Sequence, residues 1–186
     1  MHRDYYWDEV SEEIGRILLR ELKREMKICE IGFSSGHFLE WLFENGYCNL
    51  TGIEVRREQY EVIRSKFVDK QLPITLIEGD VMSCTKLYDA VFSTGLIQCI
   101  SVGERKCFLK HISDMAPVAI FTVPKIEKQR NVNSLIPIGV TGCVEYETGN
   151  LSYELSEFYE RVHVGEFECG TEDDKEIFVY YICRRV

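Results

Sequence analysis

Residues 27–42, KICEIGFSSGHFLEWL, pass from an apolar run through a glycine-bearing turn into a helical pattern. Ile28, Cys29 and Ile31 form the run expected of a short buried strand. Glu30 stands at its carboxyl end, where the strands of open α/β sheets present ligand-binding groups. Gly32 and Gly36 let the backbone turn sharply and let a ligand approach without a Cβ in the way. Beyond Gly36 the period changes, and Phe38, Leu39, Leu42 and Phe43 share one helical face. The first-turn N–H groups of that helix point back at the turn, so a nucleotide-like ligand belongs there. Two glycines in one strand–turn–helix unit are weak evidence alone, and the rest of the chain has to supply the other contacts in register.

Working outward, Tyr5 to Lys27 has the pattern of an amphipathic helix, with Ile14, Ile17, Leu18 and Leu22 on one face. Tyr5, Tyr6 and Trp7 precede that face as three consecutive aromatics, either a hydrophobic plug or a flap over a pocket. Downstream, Leu50 to Val55 is expected as a second strand. Its Glu54 follows the glycine turn at about the distance of the acid that bonds ribose hydroxyls in nucleotide-binding α/β folds. A helix over Glu58 to Lys70 turns Tyr60, Ile63 and Phe67 inward, and Pro73 marks its exit. Ile74 to Asp80 is expected as a third strand ending in Gly-Asp, a pair that is also an ordinary turn.

Tyr88 to Ser93 supplies a fourth strand, which leads through Thr94-Gly95-Leu96-Ile97-Gln98 into a loop. Ser101-Val102-Gly103-Glu104 has the capping-box pattern and predicts a helix carrying Cys107, Phe108 and Ile112 inward. Val118 to Val123 is an unbroken apolar run, as in a strand covered on both faces. Residues 125–150 hold Pro137, Gly139, Gly142 and Gly149 without a period, and are expected to form a lid or substrate loop. A helix over Leu151 to Arg161 then precedes two strands, His163–Glu168 and Ile177–Arg184, joined by a charged turn into an antiparallel hairpin. Repeated βα units followed by a hairpin give an α/β fold: a three-layer α/β/α sandwich around a mostly parallel seven-stranded sheet.

The 186 residues suit one domain, with residues 1–26 as an amino-terminal helix or cap. Lys and Arg number 22 against 31 Asp and Glu, a net charge of −9, which argues against duplex nucleic acid as the partner. Eight scattered cysteines show no C-x-x-C and no zinc or iron–sulfur spacing, so no metal is expected and a reducing cytoplasmic setting is. No apolar run has the length needed to cross a bilayer, so no membrane association is expected.

Glu30-Ile31-Gly32-Phe33-Ser34-Ser35-Gly36 resembles motif I of the class I S-adenosylmethionine-dependent methyltransferases, E/D-x-G-x-G-x-G. Glu54, Asp80 and the Tyr88–Ser93 strand match three further motifs of that family in order, and the closing hairpin resembles theirs. The resemblance implies that Gly32, Ser34 and Gly36 line the methionine part of the S-adenosyl-L-methionine cofactor and that Glu30 helps hold its amino group. It implies further that Glu54 bonds the ribose, that Asp80 with Val81 reads adenine, and that Ser93 and Gly95 border the cofactor. Tyr5, Tyr6, Leu96 and Gln98 fall on the substrate side.

Two departures stand out: Ser34 replaces a glycine, and the Asn/Asp-Pro-Pro-Tyr signature of base and glutamine-amide methylation is absent at Ser93–Leu96. The stretch there is closer to the small-molecule branch, with Ile97-Gln98 in place of its Glu-His pair. His37, His111 and His163 are candidate bases by residue type, and His37, next to Gly36, is expected nearest the cofactor.

Methyl transfer to a small-molecule acceptor is therefore expected, with the acceptor atom and oligomeric state open. A catalytically silent partner or activator subunit of the same fold is the alternative. A nicotinamide-dependent oxidoreductase is disfavoured because Ser34 and His37 replace two glycines of G-x-G-x-x-G.

Overall fold

The computed structural model describes residues 2–125, 148–171 and 174–185; the side chains of residues 2–8, 102, 148–150, 171, 174 and 175 lie outside the description. The elements follow in the order α1 (His2–Glu21), β1 (Ile28–Ile31), α2 (His37–Glu44), β2 (Leu50–Glu54), α3 (Arg57–Asp69), β3 (Thr75–Glu78) and β4 (Ala90–Thr94). They continue as α4 (Val102–Met115), β5 (Val118–Pro124), α5 (Thr148–Ser156), β6 (Arg161–Thr171) and β7 (Asp174–Arg184). Seven strands form one sheet in the order β3-β2-β1-β4-β5-β7-β6. The first five run parallel, and β7 pairs antiparallel with both β5 and β6. The α/β/α architecture with its closing hairpin is thus the expected one.

Alternation along the strands divides the core in two. In β1, Ile28 joins a cluster with α1, α2 and α3, whereas Cys29 and Ile31 join the cluster with α4 and α5. All seven residues of β5 are buried, because helices cover it on both faces. The middle layer holds β1, β4 and β5, and their carboxyl ends open on a common edge.

Several details differ from the sequence expectation. The first helix ends at Glu21 rather than at Lys27, and the helix expected over Leu151–Arg161 ends at Ser156, with Arg161 opening β6. Cys107 is exposed: Phe108, Leu109 and Ile112 form the inner stripe of α4, and Cys107 falls outside it. Ser101 caps α4, yet its hydroxyl donates to Glu104 Oε2 (2.5 Å) rather than accepting a main-chain N–H. The hairpin strands are longer than expected, eleven residues each, because pairing continues outward from the apolar centre to Thr171 and Asp174. Residues 126–147, most of the expected lid, lie outside the described residues.

Candidate cofactor site at the carboxyl edge

The chain leaves β1 through a turn in which every second residue is left-handed: Gly32 at φ 72°, Ser34 at 45° and Gly36 at 68°. Glycine meets this demand without strain, and Ser34 meets it at a cost of order 1 kcal/mol. Hydrogen bonds hold Ser34 from both sides. Its N–H donates to Glu54 Oε2 (3.1 Å), and Gln59 Nε2 donates to its carbonyl (2.6 Å). Gly32 N–H donates to the Ile53 carbonyl (2.8 Å), which ties the start of the turn to β2.

The glycines do different work. A Cβ on Gly36 would lie 2.8 Å from Ile63 and 2.9 Å from Phe67, so its absence lets α3 seat against the turn. A Cβ on Gly32 would meet only Leu96, at 3.5 Å, so Gly32 presents bare backbone beneath that side chain. Across the turn, α2 begins at His37 with Gly36 at its N-cap, and that residue supplies no side-chain cap. Of its first-turn N–H groups, that of Leu39 turns back onto Glu30, and those of His37 and Phe38 face the turn. Glu40 secures α2 to α3 through Lys66 (2.7 Å) and Lys70.

Two carboxylates stand beneath the turn. Glu30 is fully buried, and its Oε2 has no hydrogen-bond partner among the described residues. Burial drives its carboxyl well above the usual range, the charge of Glu54 adds to that, and a main-chain hydrogen bond from Leu39 opposes it. Glu54, at the end of β2, is 3% exposed and well supplied with donors. Besides Ser34, it accepts from the Arg56 N–H (3.0 Å) and Arg56 Nε (3.1 Å) at Oε1, and from Arg56 Nη2 (3.5 Å) at Oε2.

Past β3, Gly79 N–H donates to the Glu54 carbonyl (3.0 Å), holding the two strand ends together. Asp80 is exposed, and its Oδ1 accepts from Met82 N–H (2.9 Å) to cap a single 3-10 turn at Val81–Ser83. His111 Nε2 donates to the Val81 carbonyl (2.9 Å), so this histidine fixes that turn from α4.

At the end of β4, Ser93 is buried, and its Oγ has no partner among the described residues. Gly95 is left-handed at φ 66°, and Gln98 is 5% exposed with Oε1 likewise lacking a partner among the described residues. The Gln98 amide nitrogen folds back over Gly95, within 3.4 Å of where its Cβ would be.

Glu30, Gly32, Ser34, Gly36, Glu54, Asp80, Val81, Ser93, Gly95, Leu96 and Gln98 thus all belong to the carboxyl edge of one sheet. Of the three histidines, only His37 stands beside the turn, exposed and edge-on to Phe38 (5.3 Å). His163 lies on β6, two residues from its opposite end. The side chains of Tyr5 and Tyr6 are outside the described residues.

Sequence reasoning missed Arg56, Gln59 and two exposed apolar side chains at this edge, Val55 (66% exposed) and Met82 (42%). Each lies within a few residues of a strand-ending acid, and that position was the signal available.

Two surface hollows, of about 440 and 410 Å3, lie at the other edge, among the strand beginnings. Among the described residues, buried polar atoms without partners occur near both edges, the Tyr88 and Tyr159 hydroxyls by the strand beginnings and Glu30, Ser93 and Gln98 at the carboxyl edge, but only the carboxyl edge includes a carboxylate among them. No group of three or more His, Cys, Asp or Glu suited to a metal ion occurs among the described residues. No described helix is long and apolar enough to cross a membrane.

A strand order with one antiparallel strand inserted next to the edge, over a glycine turn and an acid on each of the first three strands, defines the class I, Rossmann-like methyltransferase fold. A family model described as "Methyltransferase domain" matches residues 28–116, from β1 to the end of α4. That match spans just under half of the chain, and over it the sequence is similar to a methyltransferase domain.

Solved structures agree on the fold. Magnesium protoporphyrin IX methyltransferase (ChlM) from Synechocystis PCC 6803, with S-adenosylhomocysteine bound, superposes with a TM-score of 0.73 at 12% identity, over 96% of this chain and 83% of that one. An S-adenosylmethionine-dependent methyltransferase from Aquifex aeolicus gives 0.65 at 18% identity, over 91% and 89%. The [4+2]-cyclase SpnF gives 0.73 at 12% identity, over 97% and 84%. No curated protein sequence matches the chain.

Proposed function

We propose that this protein binds S-adenosyl-L-methionine at the carboxyl edge and moves its methyl group to a small-molecule acceptor. The observation that carries the reading is the left-handed turn at residues 32, 34 and 36, set over a buried, half-satisfied Glu30. That arrangement fits the cofactor: the unpartnered Glu30 oxygen suits its ammonium group, and bare backbone at Gly32 suits close approach. In this reading Glu54 takes the ribose hydroxyls, and Asp80 with the Val81 N–H reads the adenine edge. Val55 and Met82 offer exposed apolar surface for the faces of the ring.

When bound, the cofactor supplies a methyl carbon already activated by its sulfonium. The chain's own tasks are then to position the acceptor and exclude water. Leu96 and Gln98 border the acceptor side, and the unpartnered Gln98 Oε1 is suited to a donor group on the acceptor. A small acceptor is supported by the absence of the base-methylation signature at Ser93–Leu96, and by ChlM, which is named for a small-molecule substrate. Among the described histidines His37 lies beside the turn, and in this reading it takes a proton from an acceptor that arrives protonated.

Isothermal titration with S-adenosylmethionine, S-adenosylhomocysteine and NAD tests the cofactor: micromolar binding of the first two and none of the third is expected. Glu54→Ala should weaken binding of both adenosyl compounds by about 1–3 kcal/mol. A variant titrating like wild type would remove Glu54 from the ribose. SpnF shares the fold and is titled a cyclase, so transfer itself is tested by appearance of methylated product and S-adenosylhomocysteine in a small-molecule screen.

A further inference from the structure

The register of the hairpin sets two like charges face to face. Arg161 on β6 pairs directly with Arg184 on β7, and like charges at directly opposed positions repel. Two residues on, His163 pairs with Ile182 on the same face of the hairpin, with its ring 6.1 Å from that of Tyr180. A third arginine enters from α1: Arg20 sits over the Tyr180 ring (5.8 Å) and donates through Nε to Glu21 Oε1 (2.7 Å).

Glu21 is the carboxylate that answers this cluster. Its other oxygen accepts from Arg184 Nη2 (2.7 Å), so both its oxygens are taken, and Arg161 has no partner among the described residues. These six residues, Arg20, Glu21, Arg161, His163, Ile182 and Arg184, line one hollow of about 410 Å3. Three guanidiniums and an imidazole against one carboxylate make it a cationic recess in a chain of net charge −9.

A surface of opposite overall sign has no need of such a cluster for solubility, and the opposed arginines weaken the hairpin that carries them. A ligand with two or more negative charges removes both objections, because it bridges Arg161 and Arg184 and replaces repulsion with charge-assisted bonds. Arginine forks match the geometry of phosphate oxygens, and the volume admits a compact ester. The cofactor site lies at the other end of the strands, roughly 20 Å away at the rise of a seven-residue strand such as β5.

We propose that this hollow is a second binding site, for a phosphate-bearing ligand held between Arg161 and Arg184 with Arg20 and His163 alongside.

The test is titration of the full chain with sodium pyrophosphate at constant ionic strength, followed by calorimetry and by thermal unfolding. Saturable one-to-one binding and a raised melting temperature are expected. Exposed Arg161 changed to Ala should weaken binding about tenfold or more. Arg161→Glu should abolish it while raising the melting temperature of the free chain, since it turns the opposed pair into an attractive one; this gain shows that the variant is folded. A short single-stranded oligonucleotide is the second arm. Displacement of pyrophosphate by it would assign the phosphate to a nucleic-acid backbone, and failure to displace would assign it to a free ester. Absence of saturable binding at millimolar pyrophosphate, or equal binding by Arg161→Ala, would overturn the proposal.

Discussion

The two edges of this sheet are built from the same strands and handle polar groups in opposite ways. At the carboxyl edge Glu30, Ser93 and Gln98 are buried with atoms left unpartnered, and the backbone adopts left-handed conformations at Gly32, Ser34, Gly36 and Gly95. At the amino edge the unpartnered buried atoms among the described residues are the neutral Tyr88 and Tyr159 hydroxyls, charges stay at the surface in ion pairs such as Arg184–Glu21, and the strand beginnings hold no left-handed residue. Burying a polar group without a partner destabilises a chain, whereas an exposed ion pair changes little. The difference marks the carboxyl edge as the place where folding free energy is given up to hold a buried carboxylate, as a binding site would require. Substitutions at the first edge should therefore move stability and affinity together, and in opposite directions for at least one residue, while those at the second should move stability slightly and leave the cofactor alone.

The largest effect is expected from Gly36→Ala. Left-handed strain and overlap with Ile63 and Phe67 together should lower stability by about 3 kcal/mol in denaturant unfolding. A loss under about 1 kcal/mol would mean that the turn gives way, and the rigid picture of this edge would fail.

Glu30→Gln should do the reverse for stability. The folded chain holds the Glu30 proton above the pH at which the unfolded chain releases it, so the wild type loses stability as pH rises out of the ordinary carboxylate range towards the raised value. The glutamine removes that dependence and should gain about 1–2 kcal/mol above that range while weakening S-adenosylmethionine binding. Parallel melting curves from pH 5 to 8 check it, and identical slopes for the two proteins would mean that the Glu30 carboxyl is not raised.

Ser34→Gly should gain about 0.5–1 kcal/mol, since relief of a left-handed serine outweighs the extra freedom of the unfolded glycine. Calorimetric melting decides its sign.

The smallest effect belongs to the amino edge. Burial pushes the Glu21 carboxyl up, but hydrogen bonds from Arg20 and Arg184 outweigh it and leave it below the ordinary range. Its contribution is then complete above that range and fades as pH falls through the depressed value. Glu21→Gln should cost under about 1 kcal/mol near neutrality, converge with wild type in acid, and leave cofactor titration unchanged. A change in cofactor affinity would couple the edges and end the contrast.

Much of the fold was legible because the information is local. The apolar runs at Ile28–Ile31 and Val118–Pro124 mark buried strands, and the change of period after Gly36 marks a helix. The acids Glu30, Glu54 and Asp80 were legible by position, as the residues at or just after strand ends. Arg56 was not, since nothing in an Arg-Arg pair at a helix start says that one guanidinium turns back onto Glu54 while the other reaches Glu78. The exposure of Cys107 was misjudged because one position on a helix separates the core face from solvent. The outer ends of the hairpin escaped notice because Gly170 resembles a turn residue at the head of a charged stretch, whereas Gly165 falls inside its expected strand. Gly165 lies under the Tyr180 ring, which would sit 2.1 Å from any Cβ there.

The position of β7 has a consequence for how the chain assembles. This strand follows β6 in sequence yet lies between β5 and β6, so β6 touches the sheet only through it. Until β7 has emerged and docked, β6 has no strand to pair with, and five parallel strands end at the open edge of β5. Synthesis from the amino terminus therefore leaves an apolar edge uncovered until late, a stage at which association with other chains competes with folding. A strand that closes the sheet from within makes the hairpin arrive as a unit, and deletion of Asp174–Arg184 would strip two strands from the protein rather than one.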